Sequence, residues 1–181
     1  MSFFALGPEA AGDLGNACEH GDITERPVRI FKPDFEFQFW PHDDLLDGFY
    51  TYACSRRLAE ALSQSNLNGY ELDKLNVSFE ERFHEWAELH KDEELPEFLW
   101  LKVSGRAGVD DFGEIMGPAP KSLVVSEQAL QLLKQFKLTH CEIETYIPQE
   151  LSTTGCVRSM RFSIPNGITK SLVETPQVVP A

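Results

Sequence analysis

The chain has 181 residues, 42% of them hydrophobic, and carries 29 acidic against 16 basic side chains, a formal net charge of −13. That apolar content supports a buried core rather than disorder, in one large domain or two small ones. The acidic balance excludes the basic footprint that nucleic acid requires, argues against anionic membranes, and suits a basic partner.

Taken in chain order, Phe3 to Leu6 predicts a short first strand, and the glycines and proline of GPEAAGDLGN predict a loop. The N-terminus has no basic region and only a short apolar run, so no signal peptide is expected. Residues 26–33, bounded by Pro27 and Pro33, read as extended. Phe35, Phe37 and Phe39 alternate with Glu36 and Gln38, the pattern of a half-buried strand. WPHDDLLDG reads as a turn or one short helical turn entered through Pro41. Ser78, with Glu81 three residues on, predicts a capping box for a helix with Phe79, Phe83, Trp86 and Leu89 on its apolar face. The nearly continuous apolar run EFLWLKVS at 97–104 predicts a central strand. GRAGVDDFGEIMGPAP follows as a glycine-rich loop, and CVRSMRFSI near the end has strand character.

Residues 51–77 align without a gap on residues 122–148, at the constant offset of 71 that carries Ser55 onto Ser126. Leu62 falls on Leu133, Gln64 on Gln135, Leu67 on Leu138 and Glu71 on Glu142. Each copy reads as strand, serine cap, short amphipathic helix, turn and strand. A serine hydroxyl in that position accepts from the backbone N–H groups two or three residues on, and Asn68-Gly69 closes the first turn. The fold class is therefore α+β: a mixed sheet with short packed helices and two similar strand-helix-strand units. Residues 1–164 form one domain containing the repeat 51–77 and 122–148, and 165–181 form a flexible polar tail.

The chemistry-bearing residues do not compose a known motif. His84 and His90 are six apart on the predicted helix, about 240° around its axis, so they do not form the paired histidines of a zinc protease and read as solvated. His20, His42 and His140 are isolated in sequence. Cys18, Cys54, Cys141 and Cys156 contain no C-x-x-C pair, which argues against a zinc ribbon or redox motif and for reduced thiols. Ser55 and Ser126 lack the glycine-flanked elbow of a nucleophile. Asp110, Asp111 and Glu114 in the glycine-rich loop 105–114 offer oxygens to a cation, but not at EF-hand spacing, and a structured turn is the simpler reading. No catalytic residue, cofactor or metal is expected.

Several strings together resemble a known group. FxLGPEAAGDLG at the start, DDLL at Asp43–Leu46, S-x-x-L-A-x-A-L at 55–62, LPEFLWLKVSGRAGVDDFG at 95–113 and SLVVSEQALQLLKQFKLTHCEIE are similar to small bacterial proteins, some assigned as immunity proteins of polymorphic or contact-dependent toxin systems. The resemblance covers roughly residues 1–147 and rests on turns and core positions. It implies a non-enzymatic, cytoplasmic protein that binds a cognate, basic toxin, encoded by a neighbouring gene. It brings no binding residues with it. On charge alone the expected partner-binding residues are Asp110, Asp111 and Glu114 in the loop, with Asp92, Glu93 and Glu94 beyond the middle helix. The alternative is a small enzyme or metal-binding protein using the loop 105–114.

Overall fold

The structure, a computed structural model, describes residues 2–22, 24, 28–115 and 122–148. The region CVRSMRFSI and the tail 165–181 lie outside the described residues, as does Cys156. The strands are β1 (Phe3–Gly7), β2 (Gly12–Leu14), β3 (Glu19–His20), β4 (Ile30–Lys32), β5 (Asp34–Phe37), β6 (Leu45–Asp47) and β7 (Tyr52–Ser55), followed by helix α1 (Arg56–Ser63). Then come β8 (Tyr70–Lys74), β9 (Asn76–Phe79), α2 (Glu81–Leu89), β10 (Phe98–Val103), β11 (Phe112–Ile115), β12 (Ser122–Ser126), α3 (Glu127–Leu133) and β13 (Glu142–Tyr146). The class is α+β.

Each of the two similar segments folds as strand, serine-capped helix and returning strand: β7–α1–β8 and β12–α3–β13. Ser55 Oγ accepts from Leu58 N at 3.4 Å and Ser126 Oγ from Ala129 N at 3.2 Å. Each hydroxyl thereby occupies one of the helix's otherwise unpartnered N–H groups. Leu58, Ala59 and Leu62 of α1, and Ala129, Leu130 and Leu133 of α3, are the buried faces.

The duplication extends further than the aligned segments. One four-stranded sheet has the order β6-β7-β10-β8 and a second has β11-β12-β1-β13. In both, every pairing is antiparallel and the third position is taken by a strand from elsewhere in the chain. Phe98 of β10 lies opposite Ser55 as Phe3 of β1 lies opposite Ser126. Leu101 pairs with both Tyr52 and Leu72, and Leu6 pairs with both Leu123 and Ile143. Leu45 and Phe112 take equivalent places opposite Cys54 and Val125, which makes Asp43-Asp44 the counterpart of Asp110-Asp111. The first half of the chain thus supplies β1 to the second sheet, and the second half supplies β10 to the first. The halves are interlocked by exchange of their central strands. One core, including Leu45, Tyr52, Leu58, Leu62, Leu101, Phe112, Leu123, Val125, Leu130 and Leu133, runs through both sheets and both helices.

A reciprocal set of hydrogen bonds locks this exchange. Ser55 Oγ donates to Asp44 Oδ1 at 2.5 Å, and Ser126 Oγ to Asp111 Oδ1 at 2.6 Å. The second oxygen of each carboxylate reaches the other half: Asp44 Oδ2 accepts from Lys137 N at 2.8 Å, after α3, and Asp111 Oδ2 from Asn68 N at 3.1 Å, after α1. The backbones repeat the link, with Asp44 N donating to Lys137 O and Phe112 N to Asn68 O. At the second lock Gly69, at φ +87°, approaches Phe112 O so closely that a Cβ would sit 2.1 Å from it, a position only glycine fills without strain.

The remaining elements are added asymmetrically. β2, β5 and β9 form a three-stranded sheet, in which β5 runs parallel to β9. Phe35, Phe37, Trp40, Leu46, Phe83 and Phe98 make a second core. Five local expectations are corrected. GRAGVDDFGEIMGPAP, read as a loop, contains β11, which pairs with β12. GPEAAGDLGN contains β2, which pairs with β5. DDLLDG contains β6, an edge strand too short to show a period. Ser78 does not open a capping box: it lies in β9 opposite Glu36, its hydroxyl donates to Asp34 at 3.2 Å, and α2 begins at Glu81 behind an N-cap, Glu80, that makes no side-chain bond. Parallel pairing of Phe35 with Val77 and Phe37 with Phe79 prevails over the local helix signal. Of the expected apolar face of α2 only Phe83 is buried, whereas Leu89 is 76% exposed.

Two outcomes follow from the lock. Ser55→Ala and Ser126→Ala each lose an N-cap and should destabilise by ~1 kcal/mol. Asp44→Ala strands a buried hydroxyl and a backbone N–H at once and should cost more, at least ~1–3 kcal/mol; urea unfolding monitored by circular dichroism checks the order. Because each sheet takes its third strand from the other half, residues 1–74 and 75–148 expressed separately should each lack native circular dichroism, and an independently folded fragment would contradict the interlocked reading.

Candidate functional site

Where the asymmetric layer meets the first sheet, it leaves a groove of about 440 Å³. Its walls are the 40–44 segment leading into β6, the N-terminus of α1, and residues 93–97 between α2 and β10. Trp40 forms the floor. Its ring is buried, stacked on Phe83 at 5.8 Å between centroids and on His90 at 5.0 Å with an interplanar angle of 4°. His90, expected to be a solvated helix residue, is instead the C-cap of α2, held by this stacking and by Glu93 at 2.9 Å. His84 is exposed.

The charges in the groove divide into engaged and available. Asp44 is 3% exposed. Its carboxylate receives the Arg57 guanidinium, with Nε at 2.6 Å from Oδ1 and Nη2 on Oδ2, in addition to Ser55 and Lys137 N. Burial by itself pushes the Asp44 carboxyl up; the bonds from Arg57, Ser55 and Lys137 outweigh it and hold the group below the usual carboxylate range. Arg56 makes a two-pronged pair with Glu97, at 2.6 and 2.5 Å. The Arg56 hydrogen bond draws the Glu97 carboxyl down, against a smaller effect of burial. Glu60 and Glu94 line the same groove and form no salt bridge among the described residues.

A second groove, of about 600 Å³, adjoins the first and shares Arg56, Pro96 and Glu97 with it. Its lining is mostly apolar, with Leu75, Val77, Leu95, Phe98 and Leu99. Val77 is 37% exposed there. An acidic groove and an apolar one therefore meet along the Arg56–Glu97 pair.

The expected binding residues separate into two kinds. Glu93 and Glu94 line the acidic groove, and Asp92 is exposed beside them. Asp110, Asp111 and Glu114 belong to the other half and are partly buried. Asp110 accepts from Arg106 N at 2.7 Å, and Asp111 is committed to Ser126 and Asn68. Both are the internal counterparts of Asp43 and Asp44. The glycine-rich loop is pinned by Gly69 O, which accepts from Ser104 N and Gly105 N at 2.9 Å each.

Sequence reasoning did not assemble a cluster that the topology makes. Glu9 Oε2 accepts from His42 N and Asp43 N, both at 2.8 Å, and its Oε1 lies 2.8 Å from His42 Nδ1. Buried Asp43 accepts from Thr139 N and His140 N at 2.8 and 2.7 Å. The rings of His42 and His140 lie 4.9 Å apart. Among the described residues Glu9, His42 and His140 form the grouping of three ligating side chains that could hold a metal ion; the loop 105–114 brings no such set together. Burial pushes both the Cys54 and the Cys141 thiol up to about 12.

No family model, curated protein or solved structure matches this chain. No helix among the described residues is long and apolar enough to cross a membrane.

The Asp44 carboxyl titrates lower in the folded chain than in the unfolded one. Its stabilisation is present above the unfolded value of about 3.9 and is lost as pH falls through the folded value. Asp44→Asn should make the loss of thermal stability with falling pH shallower than in the unaltered chain. Melting temperatures measured from neutral pH down to about pH 3 check this; equal slopes would remove Asp44 from the acid response.

Proposed function

We propose that this chain is a non-enzymatic immunity protein that binds a basic toxin and covers its working surface without turnover. The observation that carries the reading is the junction of the acidic groove with the apolar one at Arg56, Pro96 and Glu97. That combination suits a protein partner: exposed acids steer a basic surface into encounter, and a neighbouring apolar depression accepts the aromatic or aliphatic anchors that dominate interface energy. The serines that recur at equivalent positions cap helices and serve the interlock, which accounts for them without nucleophilic chemistry. The net charge of −13 and the resemblance to immunity proteins agree with this role, and a bacterial cytoplasm is its expected place of action.

Glu60 and Glu94 are the acids best placed to steer the partner, with Asp92 beside them and Glu93 engaged by His90. Leu75, Val77 and Leu95 are the anchor-accepting residues. Asp110 and Asp111 contribute through the fold rather than by contact.

Kinetics with a basic toxin domain encoded beside the gene test the division. Glu60→Lys with Glu94→Lys should lower the association rate about tenfold at low salt, and the difference should shrink as salt shortens the screening length to ~8 Å. Val77→Asp with Leu95→Asp should mainly raise the dissociation rate. Reversing Asp110 and Asp111 should instead lower thermal stability. If both groove variants retain wild-type kinetics and cell protection, the grooves are not the interface. If the purified protein turns over a small molecule, the immunity reading fails.

A further inference from the structure

The cluster at the rim of the acidic groove joins three segments that are remote in sequence: Glu9 after β1, His42 before β6 and His140 before β13. One ligating atom of each lies within 4.8 Å of the other two. A zinc-type ion with bonds of about 2.0–2.1 Å to nitrogen and oxygen separates its tetrahedral ligands by about 3.3 Å. His42 Nδ1 and Glu9 Oε1, at 2.8 Å, are already slightly closer than that. His140 has to swing in by an ångström or so, and its side chain is 52% exposed.

The carboxylates around the imidazoles are arranged as orienting groups. Glu9 is fixed by two backbone N–H bonds to Oε2, which leaves Oε1 directed at His42. Asp43, whose side chain is fully buried, lies 3.5 Å from His140 Nδ1 and holds the His140 backbone as well. A carboxylate behind Nδ1 selects the tautomer that leaves Nε2 as ligand.

We propose that Glu9 Oε1, His42 Nδ1 and His140 Nε2 bind one divalent transition-metal ion of the zinc class, with water completing the coordination. Two imidazoles and a carboxylate favour zinc, cobalt or nickel over magnesium or calcium, which take all-oxygen shells. Bound there, the ion ties the turn before β6 in the first half to the turn after α3 in the second, beside the Asp44 lock. The expectation of no metal rested on the spacing of cysteines, histidines and loop acids along the chain, and this site joins residues remote in sequence. It does not depend on the partner reading: it concerns the chain alone and is measured without any toxin.

The test is titration of the full, metal-stripped chain with Zn²⁺ by calorimetry and with Co²⁺ by visible absorption. One equivalent should bind, saturating by about 0.1 mM free Zn²⁺, and should raise the melting temperature. The Co²⁺ complex should lack the intense near-ultraviolet band of thiolate ligation. His42→Ala and His140→Ala should each weaken binding at least ~10-fold, as should Glu9→Gln, which keeps the side chain's shape and its bonds to the backbone N–H groups. His84→Ala, on the exposed face of α2, should bind as the unaltered chain does. Absence of stoichiometric binding at 1 mM Zn²⁺ (about ten times the expected saturating level), a thiolate band with Co²⁺, or binding that survives in a folded His42→Ala/His140→Ala chain would each overturn the site.

Discussion

Two aspartates, each shared between a serine of its own half and a backbone N–H of the other, are the constraint on which the arrangement depends. Neither half holds a complete sheet. β7 and β8 run parallel on either side of β10, and β12 and β13 run parallel on either side of β1. The central strands are contributed reciprocally, so the turns that follow α1 and α3 must be held against the opposite half. Asp111 with Asn68 and Asp44 with Lys137 do this. A buried carboxylate is tolerable only where its lone pairs are filled and its charge is compensated. The more deeply buried Asp44 accordingly carries the Arg57 guanidinium in addition. Asp111, partly exposed, is filled by hydrogen bonds alone.

Where the two halves correspond, Asp44 and Asp111 are committed to the interlock. Where they differ, surface is left for function. The first half alone carries the insertion between β1 and β6, and the connection from β8 to β10 adds β9 and α2 to it. The aromatic core of Phe35, Phe37, Trp40 and Phe83 grows on that side, and these added segments line both grooves together with the start of α1, Lys74 of β8, Phe98 and Leu99 of β10, and Lys137. Trp40 links the layers: its ring rests on Phe83 within the second core and offers its other face to His90 at the groove.

Acidic side chains in this molecule therefore have unlike roles despite similar local sequence. Asp43-Asp44 and Asp110-Asp111 are fold determinants. Glu60 and Glu94 are available to a partner. Glu9 and Asp43 gather imidazoles from both halves. The formal charge counts all of them equally, whereas the field a partner meets comes from those not neutralised by a neighbouring donor or cation.

The sequence by itself determined the α+β class, both strand-helix-strand segments and both serine caps. These rest on short-range physics: the alternation of a strand, the spacing of Leu58 and Leu62 or Leu130 and Leu133 on one helix face, and a hydroxyl within reach of the N–H three residues on. The central position of EFLWLKVS was legible too, because a strand covered on both faces is apolar almost throughout. Only the tertiary structure decided that β1 and β10 are exchanged, that Ser78 serves a strand, and that Asp111 is committed to Ser126 and Asn68. Each depends on pairing between segments tens of residues apart, which leaves no local period. The same holds for the grooves and for Glu9, His42 and His140: isolated side chains in the sequence, they come within reach of one another only when the turns before β6 and before β13 are brought together by the aspartate locks.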